Sequence, residues 1–243
     1  MNHDVVKPYD ATEDKKVQVT NMFDRIAPYY DFLNRLLTLR IDVLWRKKAI
    51  NAVAAEQPKI ILDVATGTGD LALEMYKKLN PTKIIGMDIS PNMLDIAKKK
   101  VDSRELTAKI SMEIGDSENL TYQDEYFDLT TSSFGVRNFA DLKKGLSEMY
   151  RVTKKGGSIM VLEFSRPRVF PIKNLYNIYF KYALPVIGRL TSKDPRAYKY
   201  LYESVQAFPD NEDFTSLLEE IGFQSATYKS LSFGICNIYL AKK

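Results

Sequence analysis

Apolar and polar positions change period twice along the chain. Up to residue 56 the pattern is helical, with one segment around Lys15–Ile26 stopping near Pro28 and a second around Asp42–Ala54 stopping before Pro58, because proline lacks the donor a helix needs. Beyond Pro58 comes Ile60-Ile61-Leu62-Asp63-Val64, a short apolar run of the kind that forms a parallel strand buried on both faces. A helix from about Asp70 to Leu79 and a second strand, Lys83–Asp88, follow. Ser90-Pro91 then opens another helix, serine as the cap and proline at the first position. The alternation continues with strands near Ile110–Ile114 and Phe127–Ser132, a helix Asp141–Val152, and a strand Ser158–Phe164 after a Gly156-Gly157 turn.

Five strands separated by helical segments predict a doubly wound α/β sheet. The carboxy-terminal pattern differs: a helix from about Asn211 ended by Gly222, then strands near Ser225–Leu231 and Ile235–Ala241. The last two are joined too closely for a crossover helix, so they pair antiparallel. The expectation is a mostly parallel seven-stranded sheet with an antiparallel last strand. Four regions follow: an N-terminal helical lid (1–56), an α/β core (57–164), a helical cap insertion (165–209) and a closing helix with its strand pair (210–243).

Composition narrows the chemistry. With 243 residues, 45% hydrophobic and 27% charged, the chain can bury a sizeable core, which excludes a disordered chain and a disulfide scaffold. The single cysteine, Cys236, cannot form an internal disulfide and suits a reducing, cytoplasmic setting. The only histidine is His3, in a polar amino-terminal tail, so a Ser-His-Asp triad, a Cys-His pair or a His-ligated zinc would lack its central residue, and no metal is expected. Apolar runs such as Ile159–Leu162 and Ala183–Ile187 fall far short of the ~20 residues a membrane span needs. The first residues lack the apolar stretch of a secretory signal, so no processed leader is expected.

The glycine turn is the first candidate site. Strand one runs into Ala65-Thr66-Gly67-Thr68-Gly69-Asp70 and opens a helix. Glycines there let the backbone turn tightly at the strand ends, where such sheets bind ligands. With Ala72, the spacing also fits a relaxed dinucleotide fingerprint, so an NAD-linked oxidoreductase must be weighed. Acids at successive strand ends tip the balance. Asp88 suits a ribose diol in NAD or in a nucleoside sulfonium alike. Asp63 puts negative charge beside the turn, where a pyrophosphate would be repelled and a cationic ligand welcomed. Asp116, beside Ser117, can accept from an adenine amino group. S-adenosyl-L-methionine carries a sulfonium, an amino group, a ribose diol and an adenine, and this order of acids matches it.

These residues resemble a class I S-adenosylmethionine-dependent methyltransferase of Rossmann-like fold. Longer segments narrow the resemblance: Phe134-Gly135-Val136-Arg137-Asn138, Met149-Tyr150-Arg151-Val152 with Gly156-Gly157, Leu162-Glu163-Phe164-Ser165, and Tyr200-Leu201-Tyr202-Glu203-Ser204-Val205 with Phe208-Pro209. Together they are similar to the quinone-biosynthesis C-methyltransferases, from about Val19 to Lys242. Tyr202 departs from the family's proline at that position. The resemblance implies methyl transfer to the ring carbon of a prenylated hydroquinone, demethylmenaquinol to menaquinol in menaquinone biosynthesis or the equivalent benzoquinol step in ubiquinone biosynthesis. It implies that Thr68, Asp88, Asp116, Ser117 and Ser133 contact the cofactor, and the reading of the turn adds Asp63, Gly67 and Gly69.

On the acceptor side, a ring carbon becomes nucleophilic when a neighbouring hydroxyl, of pKa ~10, loses its proton, so the site should offer positive charge, hydrogen bonds or a base. Arg137 is the leading candidate, able to stabilise a developing phenolate or, alternatively, to pair with an acid such as Asp141. Asn138 could orient the same oxygen. Tyr30 and Asp31, with Asp24 and Tyr29, are further acceptor-side candidates, none assigned as the base, and belong either to a lid that excludes water or to a helix packing its tyrosines on the sheet. Between Ser165 and Val205 eight basic residues stand against two acidic ones, interleaved with aromatics, although the whole chain carries only +4. A polyprenylated acceptor makes sense of that stretch as a cap whose aromatics line a tail groove while its basic residues make peripheral contact with an anionic membrane's inner face. A nucleic-acid partner is not expected, because no Asn-Pro-Pro-aromatic loop accompanies the basic residues. The oligomeric state is not encoded in any of these features.

Overall fold

The computed structural model describes residues 3–10, 12–179 and 195–243. Strands β1 (Ile60–Val64), β2 (Lys83–Asp88), β3 (Ile110–Ile114), β4 (Phe127–Ser133), β5 (Thr153–Phe164), β6 (Gln224–Leu231) and β7 (Cys236–Lys242) form one sheet in the order β3-β2-β1-β4-β5-β7-β6. β1 to β5 pair parallel, and β7 runs antiparallel between β5 and β6. The strand order reverses between β1 and β4, and the crevice of a doubly wound sheet opens at the carboxyl ends of such a pair.

Helices α1 (Lys15–Leu37), α2 (Ile41–Val53), α3 (Asp70–Leu79), α4 (Pro91–Asp102), α5 (Leu142–Val152), α6 (Ile172–Ile178), α7 (Pro195–Ala207) and α8 (Glu212–Ile221) surround the sheet. The central strands β1, β2, β4, β5 and β7 are largely buried on both faces, and alternation along β5 divides the core. Ile159 and Val161 join the cluster under α5 and α8; Met160 and Leu162 join the one under α2 and α3. A third cluster packs Val19, Met22 and Leu33 of α1 against Tyr176 of α6 and Ala197 and Tyr200 of α7.

Two elements differ from expectation. The first helix does not stop near Pro28 but continues to Leu37. Pro28 removes the donor that would reach the Asp24 carbonyl four residues back, and the Asn92 side chain supplies one instead, Nδ2 donating to that oxygen at 3.2 Å. The Gly156-Gly157 pair does not precede the fifth strand; it lies inside it. Residues 154–157 bulge out between the register pairs Phe127↔Thr153 and Leu129↔Ser158, with Gly156 at φ +76°.

Of the stretch expected to form a cap, α6 and α7 pack on α1. Lys181, Arg189 and Lys193 lie outside the described residues.

Candidate functional site

After β1 the backbone enters the left-handed region at Ala65, Gly67 and Gly69. Asp88, at the end of β2, fastens this turn: its Oδ2 accepts from the Gly67 N–H at 2.7 Å and its Oδ1 from the Ser90 N–H at 2.9 Å. Burial raises the Asp88 pKa against the pull of those donors. The two glycines have different roles. A Cβ on Gly67 would meet nothing nearer than Tyr30 Cε1 at 4.0 Å, so its free side faces the cleft. On Gly69 a Cβ would lie 2.9 Å from Met112 Cε and 3.2 Å from Ala97 Cβ. Gly69 therefore serves helix–sheet packing and lines neither of the two clefts beside the turn.

Asp63 is turned inward. It is buried, with Thr66 Oγ1 donating to Oδ2 at 2.6 Å and Thr131 Oγ1 to Oδ1 at 2.8 Å. Burial, with Asp88 nearby, pushes its pKa up to about 6 despite those hydroxyls. It lines a small cleft with Asp31, Thr66, Thr68 and Arg46.

A second cleft joins Gly67, Asp88, Asp116, Ser117, Ser133 and Asn138. Ser133 Oγ is buried with no hydrogen-bond partner. Asp116 is engaged already: Lys16 Nζ lies 2.7 Å from Oδ2, and the Glu118 N–H donates to Oδ1 at 2.9 Å.

Helix α1 lies across these strand ends and is tied to them along its length. Asp24 accepts from Ser90 Oγ at 2.5 Å, Asp31 accepts from Thr68 Oγ1 at 2.6 Å and pairs with Lys100 at 2.5 Å, and Arg35 reaches Asp70 at 3.0 Å. Asp31 thus belongs to the glycine-turn side rather than to the acceptor side expected for it. Tyr30, its neighbour, lines the turn and also the larger cavity described next.

That cavity, of about 390 Å³, is walled mainly by apolar and aromatic residues of α1, α2, α6 and α7. Tyr30, Phe134 and Asn138 line both it and the Asp88 cleft, so the two spaces meet there. Its polar groups include Arg137, Asn138 and Tyr200, all buried. Arg137 does not pair with Asp141, which instead caps α5 by accepting from the Lys144 N–H at 2.9 Å. Its partner is Glu163 of β5: Nη1 lies 2.7 Å from Oε1 and also donates to the Phe134 carbonyl at 2.5 Å. The guanidinium lies 5.3 Å from the Phe164 ring centre. Three atoms here are buried without a hydrogen-bond partner: Arg137 Nε, Asn138 Oδ1 and Tyr200 Oη.

Three residues at this site escaped the sequence reading. Glu163 carried a signal, an acid in an otherwise apolar buried strand, and burial raises its pKa while Arg137 pulls it down. Tyr200 was hidden among the many aromatics of its stretch. His3, read as part of a polar tail, is buried: its ring packs edge-on against Phe208, centroids 6.1 Å apart, and its Nε2 meets the Arg137 carbonyl oxygen. Burial, with the Lys15 charge beside it, holds its pKa below the ordinary value.

Known proteins resemble this chain in sequence and in fold. A demethylmenaquinone methyltransferase of Bacteroides fragilis is 46% identical over 238 residues, covering 98% of this chain and 97% of its own. One of the same name from Porphyromonas gingivalis is 43% identical, covering 98% of each. A ubiquinone/menaquinone biosynthesis C-methyltransferase of Geobacter sulfurreducens is 43% identical over 97% of this chain and 91% of its own. Among solved structures, a SAM-dependent methyltransferase of Thermotoga maritima superposes with a TM-score of 0.64 at 20% identity, covering 93% of this chain and 99% of that one, a likeness of fold alone. The sequence profile of the ubiE/COQ5 methyltransferase family matches residues 10–243, the span that holds the glycine turn, the strand-end acids and the Arg137–Glu163 pair. With that match over nearly the whole length, and with relatives above 40% identity end to end, the chain belongs to the ubiE/COQ5 methyltransferase family.

Proposed function

We propose that this enzyme transfers a methyl group from S-adenosyl-L-methionine to the ring carbon of demethylmenaquinol, forming menaquinol. The observation that carries this reading is the junction of two unlike spaces. A polar cleft ringed by Asp88, Asp116, Ser117 and Ser133 meets a large apolar cavity at Tyr30, Phe134 and Asn138. The dinucleotide reading of the glycine turn is set aside by the family.

The residues of the cleft fit the cofactor. Asp88 keeps lone pairs beyond those used by Gly67 and Ser90 and would accept from the ribose diol. Asp116 and Ser117 would meet the adenine edge, Asp116 sharing its Oδ2 with Lys16. The orphaned Ser133 hydroxyl gains a partner from any polar ligand there. Asp63, ionised above about 6, would answer a cationic amino group through the small cleft with Thr68. Bound there, the sulfonium supplies an electrophilic methyl group.

On the acceptor side, the quinol head would sit in the apolar cavity beside the unpartnered Arg137 Nε, Asn138 Oδ1 and Tyr200 Oη. Arg137 cannot act as a base, since a guanidinium keeps its proton. It instead stabilises negative charge as the ring hydroxyl ionises, held in place by Glu163 and the Phe134 carbonyl. Asn138 orients the same oxygen. Helix α1 excludes water from the junction.

The relatives named for demethylmenaquinone favour the naphthoquinol ring, and the Geobacter sulfurreducens relative, named for both quinones, keeps the benzoquinol as a second reading. The assay is methyl transfer from labelled S-adenosylmethionine to short-chain demethylmenaquinol and to the benzoquinol counterpart, in parallel. Methylated naphthoquinol is expected; label transfer to neither acceptor would overturn the reading.

The enzyme would act in the cytoplasm, at the membrane that holds its substrate. Among the described residues no helix is long and apolar enough to cross a membrane. Several described basic residues of the stretch after β5 have partners within the protein. Arg166 and Arg168 pair with Asp210 at 2.6 and 3.3 Å, Arg196 lies over the Tyr9 ring at 4.6 Å, and Lys199 faces Glu203 at 3.5 Å.

A further inference from the structure

We infer that the corner between α1 and α2 is a lipid-docking surface that seats the mouth of the apolar cavity on an anionic bilayer. The inference rests on the reading of a prenylated acceptor and deepens it by assigning the surface through which the tail enters.

Tyr29, Phe32 and Leu36 are 53, 62 and 41% exposed, and their spacing places them on one face of α1. The stripe continues around the corner through Leu39, 78% exposed with a left-handed backbone, to Ile41 and Leu44 of α2, 37 and 57% exposed. Monomeric proteins rarely leave so many large apolar side chains contiguous in water without using them. Leu39 and Ile41 are at once exposed and part of the cavity wall, so the stripe runs up to the cavity mouth. The unpartnered Arg137, Asn138 and Tyr200 atoms are buried while Leu39 and Ile41 of the same wall are exposed, so a tail leaving the cavity past Leu39 and Ile41 would emerge onto this stripe.

The charges fit the same partner. Arg40, Lys47 and Lys48 are exposed around Leu44. The acids of the two helices point elsewhere: Asp24 accepts from Ser90, Asp31 pairs with Lys100, and Asp42 is buried against Arg46 at 2.6 Å. An apolar face flanked by basic residues with no outward carboxylate is complementary to an anionic lipid surface, where the apolar side chains enter the headgroup boundary and the cations meet lipid phosphates.

The test uses the full-length protein and vesicles of phosphatidylglycerol mixed with phosphatidylcholine, against phosphatidylcholine alone, read by sedimentation. Binding to the anionic vesicles is expected, reduced at least roughly 10-fold in the double variant Phe32→Glu/Leu44→Glu, and roughly 5-fold for each of Lys47→Gln and Lys48→Gln. Neither Phe32 nor Leu44 lines the cavity, so methylation of a short-chain acceptor in solution should stay at the parent level while methylation of a long-chain acceptor embedded in vesicles falls. Parent-like vesicle binding by Phe32→Glu/Leu44→Glu would overturn the inference. So would a dimer in sedimentation velocity that the same variant dissolves, without vesicle binding by the parent. Failure to methylate the short-chain acceptor would strike the proposed function instead, since vesicle binding is measured without turnover.

Discussion

Asp63→Asn tests whether the acid beside the glycine turn is held against its ionisation by the fold. In the folded protein its pKa rises from the ordinary 3.8 to about 6, because the carboxyl is buried beside Asp88. A carboxyl whose pKa is raised by folding favours the folded state most below 3.8, and that contribution is lost as pH rises through about 6. At ~1.4 kcal/mol per pH unit the ionised form costs ~3 kcal/mol above the folded pKa, of which ~2 kcal/mol develops between pH 4.5 and 8. Asparagine is nearly isosteric, can still accept from Thr66 or Thr131, and does not titrate. Whatever its fixed effect on the two hydroxyl contacts, the stability difference between variant and parent should therefore shift in the variant's favour by ~2 kcal/mol from pH 4.5 to 8. The assay is urea unfolding of the cofactor-free protein at several pH values, or thermal melting, where the shift amounts to roughly 4–8 °C for a chain of this size. A difference that stays constant across this range, or that moves in the parent's favour as pH rises, would refute the argument. The second result would mean that Arg46 and the two hydroxyls hold Asp63 ionised.

Other changes separate binding, chemistry and packing. Asp88→Ala should weaken S-adenosylhomocysteine binding ~10²–10⁴-fold by calorimetry, two charge-assisted hydrogen bonds being lost, and should also loosen the turn by leaving the Gly67 N–H without its acceptor. Arg137→Ala should cut turnover ~10²–10³-fold with cofactor affinity unchanged, and Arg137→Lys should recover only part of it. Because Arg137→Ala leaves Glu163 buried and unpaired, it should also cost ~3–5 kcal/mol of stability, which adding Glu163→Gln should largely restore in a melt while turnover stays low. Gly69→Ala, at φ +78° and 2.9 Å from Met112 Cε, should lower the melting temperature by roughly the 1–3 kcal/mol of an overpacked, strained site, with cofactor affinity of the folded fraction close to the parent's.

The period of the apolar positions alone determined the number, order and type of the core elements. Buried parallel strands write themselves as continuous apolar runs, and the short link before β7 leaves room for no crossover. The family was legible in local segments as well, since Phe134–Asn138 and Tyr200–Val205 are contiguous stretches. What tertiary structure decided are relations between residues far apart in the chain. The Asn92 side chain lets α1 continue through Pro28, and that continuation carries Asp31 to Thr68 and Lys100 on the glycine-turn side. Glu163, on the neighbouring strand, takes Arg137 from the nearer Asp141 because a charge buried in an apolar site must find its counter-charge within that site. Lys16 reaches Asp116 across 100 positions, and His3 folds back to the Arg137 carbonyl across 134. A periodicity reports which face of an element is buried; which polar group meets another inside is set by the three-dimensional packing, and no local pattern records it.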